Sequence, residues 1–141
     1  MNASTVRFDT KIAIAVRADL PQWQKLNVTA FLASGIAAST GEIIGKPYED
    51  GSGHTYLELF RQPVVVYAAD AGTLSQAHQR ALTRQLPVAI YTMDMFGTGN
   101  DDDNRAVVRA VPAAELSFAG LAVHGPRNVV DKIFKGASLH P

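Results

Sequence analysis

Apolar residues crowd into a few short runs, separated by polar stretches rich in glycine and proline. Lys11-Ile12-Ala13-Ile14-Ala15-Val16-Arg17 is almost continuously apolar, the pattern of a strand covered on both faces. Pro63 to Ala69 and Pro87 to Thr92 read the same way, because proline is tolerated at the first position of a strand. Between Gln22 and Thr40 the period becomes helical. Trp23, Leu26, Ala30, Ala33 and Ala37 form one stripe, and Val28, Phe31, Leu32 and Ile36 a second. A helix apolar over so much of its circumference is expected to be largely buried. Asp19 or Leu20 would cap it, with Pro21 in its first turn and Gly41 at its end.

Thr73-Leu74-Ser75-Gln76 fits a capping box and opens a helix to about Gln85. Pro126 opens a last short helix through Phe134, ended by Gly136. Residues 1–10 read as a polar lead-in, 45–55 as a loop, and Tyr56 to Phe60 as a short edge strand because it alternates. Gly97 to Asn104 reads as a polar loop. Ala106 to Val111 reads as an extra strand, and Leu116 to His124 contains another. The strand at 63–69, the helix after it and the strand at 87–92 have the spacing of a βαβ unit, which implies parallel pairing. The expected architecture is α/β: one domain over residues 1–141, with its core at about 11–135. It is a three-layer α/β/α sandwich around a small mixed, mostly parallel sheet. Its parallel strands would be 11–17, 63–69 and 87–92, with an antiparallel strand near 119–124.

The length of 141 residues suits a single domain. Thirteen basic residues balance thirteen acidic ones, so no basic field covers the whole molecule and tRNA is not an expected partner. A local basic patch would have to come from pairs such as Arg80 and Arg84, at i and i+4 on one helix face. The absence of cysteine excludes disulfides and thiol chemistry. No apolar run approaches the roughly 20 residues of a membrane span. Met1 to Arg7 lacks the basic start and apolar core of a signal peptide, so a soluble cytoplasmic protein without a membrane partner is expected. The phosphate-binding glycine loops are missing, as is the Gly-x-Ser-x-Gly elbow, so no cofactor is expected. His54, His78, His124 and His140 are far apart in the sequence and do not suggest a metal site. Asn100-Asp101-Asp102-Asp103-Asn104 is rich in oxygen but lacks EF-hand spacing, so a solvated loop is the better reading.

Three segments carry a resemblance. Val16-Arg17-Ala18-Asp19-Leu20 is followed by Lys25 at the head of an alanine-rich helix. Asp94 and Thr98 follow the third strand, and Gly125-Pro126 ends the last one. These residues, and the order of elements from 11 to about 135, resemble the type 2 peptidyl-tRNA hydrolases. A closer resemblance is to an uncharacterised bacterial family, domain of unknown function 2000, thought to share that fold. It rests on Lys11 to Leu32, on Asp94-Met95-Phe96 with Thr98-Gly99, and on Asp131-Lys132-Ile133 with Leu139-His140-Pro141. The sequence departs from the hydrolase pattern at five places. Gln24 stands at its glycine, Thr29 at its glutamine, Leu32 at its histidine, Met95-Phe96 at its Ala-Gly and Gly99 at its second glutamine.

The resemblance implies a site built from Lys25, Asp94 and Thr98, with Asp19 at its edge. A carboxylate can orient water, while an ammonium and a hydroxyl can stabilise an oxyanion. The alternative is structural: Lys25 as a solvated helix start, Asp94 capping a turn, Thr98 bonded to backbone. Arg17 and Asp19 read either as hydrogen bonds at the strand–helix junction or as ligand contacts. His124, beside Gly125-Pro126, is the histidine expected to face the crevice, unless it is simply hydrogen-bonded in the framework. Trp23 and Phe96 are the aromatic residues best suited to line a cleft. Met93, Met95 and Phe96 would mark a ligand or partner patch if they reach the surface. Two functions follow. The first is a module binding a small molecule or partner at the strand carboxyl ends, contacted by Asp19, Thr29 and His124. The second is a hydrolase of an ester or amide, on a peptidyl-tRNA-like substrate, acting through Lys25, Asp94 and Thr98. Assembly into a homo-oligomer is compatible with either.

Overall fold

In chain order the elements are β1 (Thr10–Arg17), α1 (Gln22–Ser39), β2 (Tyr48–Glu49), β3 (Thr55–Tyr56), β4 (Val64–Ala69), α2 (Ala71–Thr83), β5 (Val88–Thr92), α3 (Asp101–Arg109), β6 (Phe118–Pro126), α4 (Arg127–Ile133) and β7 (Ser138–Leu139). The computed structural model describes residues 6–141, so the first half of the expected polar lead-in, and most of the segment inspected for a signal peptide, lie outside the described residues. No helix among the described residues is long and apolar enough to cross a membrane.

Five strands form one sheet in the order β5-β6-β1-β4-β7. Alternation along β1 explains why the sheet is covered twice. Ile12, Ile14 and Val16 pack with Val28, Leu32 and Ile36 of α1. Ala13 and Ala15 point the other way, into a second core with Leu74, Ala77 and Ala81 of α2 and Val130 and Ile133 of α4. The result is helix, sheet, helix in layers, a mixed α/β fold.

The strand directions are those expected, including the antiparallel strand near 119–124, but the sheet is not mostly parallel. β1 and β4 are parallel, but β6 is antiparallel to both β1 and β5, and β7 is antiparallel to β4. The sheet is therefore mainly antiparallel. β4 and β5 do run in the same direction, as a helical crossover requires, but β1 and β6 lie between them. Spacing within a βαβ unit fixes direction; it does not say which strands are inserted later.

Local corrections have local causes. Ala106 to Val111 is not a strand: most of it is the second half of α3, which begins one residue after Asn100. The Asn100 side chain accepts from the Asp103 amide, and Asp101, Asp102 and Asp103 occupy the first turn, where the helix dipole favours negative charge. Helix α2 begins before the expected box, because Asp70 takes the cap and accepts from the Thr73 amide at 2.8 Å. It ends at Thr83, and Gln85 adopts a positive φ of 55°. Pro21, not Asp19 or Leu20, is the N-cap of α1, and Thr40 rather than Gly41 ends it. The alternating stretch near residue 56 is not an edge strand of the main sheet: Thr55–Tyr56 pairs with Tyr48–Glu49 in a separate hairpin.

Helix α1 is also less buried than its composition suggests. Val28, Leu32 and Ile36 face the sheet, whereas Trp23 is 62% exposed, Leu26 65% and Phe31 51%. A helix lying on one face of a sheet can bury only one stripe. The remaining apolar side chains stay outside.

Candidate functional site

At the carboxyl end of β5 the chain makes a 3-10 turn over Met93–Gly97 before entering α3. The Met93 amide donates to the Ser117 carbonyl at 2.8 Å, which anchors this turn beside the start of β6. The turn and the head of α3 face the first half of α1. Between them lies a cleft of about 520 Å³, with Trp23, Asn27 and Phe31 on one wall. These three residues are four apart, so they share one helix face. The other walls carry Tyr91, Met95, Phe96, Thr98 and Asn104, with Gly99 to Asp101 at the rim.

The rings form a connected set. Phe31 meets Tyr91 edge-on at 5.6 Å between centroids, and Tyr91 meets Phe96 at 5.1 Å. Both separations fall in the range where aromatic pairs attract beyond their buried area. Burial pushes the Tyr91 phenol above its ordinary pKa, so it stays a neutral hydrogen-bonding group. The Thr98 hydroxyl donates to the Met95 carbonyl at 2.9 Å and meets the Asn104 side chain, which ties the turn to α3. The Asn27 amide makes no side-chain hydrogen bond among the described residues and faces the cleft. Among the described residues no lysine or arginine lines this cleft. The cleft thus combines four aromatic rings with amide and hydroxyl groups.

The structure distributes the expected site residues unevenly. Thr98 lines the cleft, as do Trp23 and Phe96. Lys25 does not: it is half-buried on α1, two residues past Trp23, and is not among the residues that line the cleft. Asp94 is exposed on the 3-10 turn and forms no ion pair with Lys25. Asp19 pairs with Arg17 at 2.8 Å, and Arg17 Nη1 reaches Ser117 Oγ at 3.4 Å, the framework reading of that pair. The Thr29 hydroxyl is used within its own helix, donating to the Lys25 carbonyl at 2.7 Å. His124 is a correction. It pairs with Ile12 near the start of β1, so it sits at the opposite end of the sheet from the cleft. The cause is direction: β6 runs against β1, and its last residues lie beside the first residues of β1.

Asn27, Tyr91 and Asn104 were missed as site residues. Asn27 had a signal, a lone amide midway between Trp23 and Phe31 at helical spacing. Tyr91 had none, because an aromatic residue in a strand reads as core. Arg80 and Arg84 are both engaged with backbone carbonyls. Arg80 Nη1 donates to the Lys135 carbonyl at 2.9 Å beyond the end of α4, and Arg84 turns back to the Arg80 carbonyl. The described residues contain no cluster of three or more metal-binding side chains.

Residues 10–141 match the family model described as protein of unknown function (DUF2000). Among solved structures the chain is similar to a protein of unknown function, Atu0240, from Agrobacterium tumefaciens strain C58. The two are 51% identical with a TM-score of 0.93, over 96% of this chain and all of the other. Comparison with curated proteins returns no match.

Proposed function

The chain belongs to the DUF2000 family, and we propose that it is a small-molecule-binding domain whose ligand places a planar, apolar group in the cleft between α1 and the β5–α3 segment. One observation carries this reading: Trp23 and Phe31 stay more than half exposed on the wall that faces Tyr91 and Phe96. Exposed aromatic rings gathered around one concave surface gain by covering one another or a ligand. Asn27, Asn104 and the Tyr91 hydroxyl supply hydrogen bonds that orient the ligand's polar edge. The acidic head of α3 at the rim and the lack of basic lining disfavour phosphate-bearing ligands.

Trp23 is the chain's one tryptophan, so its fluorescence reports on this cleft without a label. A panel of planar aromatic amides, headed by benzamide and nicotinamide, is titrated into the protein. Saturable change in Trp23 emission is expected, weakened about tenfold by Phe31→Ala, as loss of one ring contact implies. A panel that leaves the emission unchanged defeats the reading.

Hydrolysis through Lys25, Asp94 and Thr98 is the second reading. It is favoured by the exposed, unpaired Asp94 carboxylate on the same turn that leads to Thr98. In that scheme Asp94 orients the water and Thr98 meets the oxyanion, which the Lys25 ammonium reaches only by extending from outside the cleft lining. Asp94→Asn keeps the shape and removes the charge. It should leave benzamide binding in place and abolish any esterase turnover; undiminished turnover removes Asp94 from the scheme.

A further inference from the structure

At the end of the sheet where β1, β4 and β5 begin, two adjoining cavities share two walls. One, of about 500 Å³, lies between the last turns of α1 and the start of β5; the other, of about 190 Å³, lies beside Asp9, Arg61 and Gln62. Glu42 and His124 line both. The compartments differ in chemistry. The larger has an apolar wall of Ile36, Pro87, Val88 and Ala89. Gly35 keeps that wall open, since a Cβ there would come within 3.1 Å of the Ala89 Cβ.

The smaller compartment holds charge that the chain does not neutralise. The Arg61 guanidinium lies over the Phe8 ring at 5.3 Å and forms no ion pair with a described carboxylate. Asp9 and Glu42 line the same space and are likewise unpaired among the described residues. Between the compartments, His124 Nε2 is buried without a hydrogen-bond partner. A buried ring nitrogen in that state costs free energy that a polar group placed beside it recovers.

These groups select against simple ions. A carboxylate alone would meet Arg61 but also Asp9 and Glu42. An amine alone would meet the two carboxylates but also Arg61. A group carrying both charges satisfies all three. We propose a second binding site here, for an α-amino acid with an apolar side chain. Its carboxylate meets Arg61, its ammonium meets Glu42 and Asp9, its head bonds His124 Nε2, and its side chain lies on the Ile36–Ala89 wall. The site lies at the opposite end of the sheet from the aromatic cleft and does not depend on it.

The test is an NMR titration of the full-length chain with L-leucine, isoamylamine and 4-methylpentanoate in parallel. The side-chain signals of His124 and the backbone signals of Gly35 and Ala89 are followed, with Trp23 fluorescence as the monitor of the other cleft. L-Leucine should shift the three residues saturably and leave Trp23 unchanged. The amine and the acid should each bind at least about tenfold more weakly, as loss of one charged hydrogen bond implies. Arg61→Gln, at an exposed position outside the core, should weaken leucine by a similar factor with folding intact. No shift at millimolar leucine, or an equal response to the amine or the acid, overturns the proposal.

Discussion

Gly120 sits in β6 beside β1 and under α1, where an added Cβ meets both. A Cβ would lie 2.7 Å from the Ala15 carbonyl oxygen and 2.9 Å from Val28 Cγ1. The first neighbour is backbone in the middle of the sheet, so the strain cannot be relieved by a rotamer change. Gly120→Ala should therefore destabilise by about 1–3 kcal/mol, as overpacking in a tight core does. A urea melt with an unchanged slope and a lower midpoint is the expected result. His78 is constrained differently. It packs on Phe118 with 4.6 Å between ring centroids, and burial lowers its pKa below the usual 6.5. The unfolded chain therefore binds this proton more readily than the folded one. Stability should be unaffected by His78 above pH 6.5 and should fall as pH drops below it. His78→Leu should flatten the pH dependence of the melting temperature in that acid range; an unaltered slope would show that another group is responsible. Lys11 acts at the alkaline end. Burial alone would lower its pKa, but hydrogen bonds with Asp131 and Tyr67 outweigh that and raise it above 10.5. Its contribution is full below that value and is lost as pH rises through the raised pKa.

At the scale of elements, α3 shows what one polar residue can do. A helix of nine residues is marginal alone. Asn100 caps it, and Arg105 pairs with Asp101 and with Asp102 from the same helix. Asn100→Ala should cost about 1 kcal/mol, as loss of a cap does. Because Thr98 and Asn104 meet across the cap, the loss should appear as faster amide exchange in α3 and the 3-10 turn, with the central strands unaffected. Uniform acceleration throughout the molecule would refute a local role. The same helix marks where sequence reading stopped. Strands 1, 4, 5 and 6 were legible because burial on both faces makes them near-continuous apolar runs, and helix α1 because burial imposes a period of 3.6 on its residues. In α3 the β-branched pair Val107-Val108 outweighed the cap and the acids before it. Trp23, Phe96 and Thr98 were legible as cleft residues; that Lys25 lies outside the cleft lining and His124 at the far end depends on helix phase and on strand order. Neither is written in local pattern.

The charge of the whole molecule bears on its partners. Thirteen positive side chains are balanced by thirteen negative ones, so the molecule carries no net cationic charge. Polyanion affinity comes largely from counterions released by several lysine or arginine contacts. Filter binding with tRNA at physiological salt should therefore show no sub-micromolar complex; such a complex would mean that a local cluster outweighs the balance.

Strand order also sets a schedule. The ribosome makes β1 first, yet one of its two neighbours, β6, is made last but one among the strands. Until Phe118–Pro126 has emerged, β1 lacks a partner along one edge and β5 has none at all. The apolar middle of the sheet must wait, exposed, through the synthesis of most of the chain. The central pairing is thereby left to a late, long-range insertion of β6, after which only the two-residue edge strand β7 has still to join.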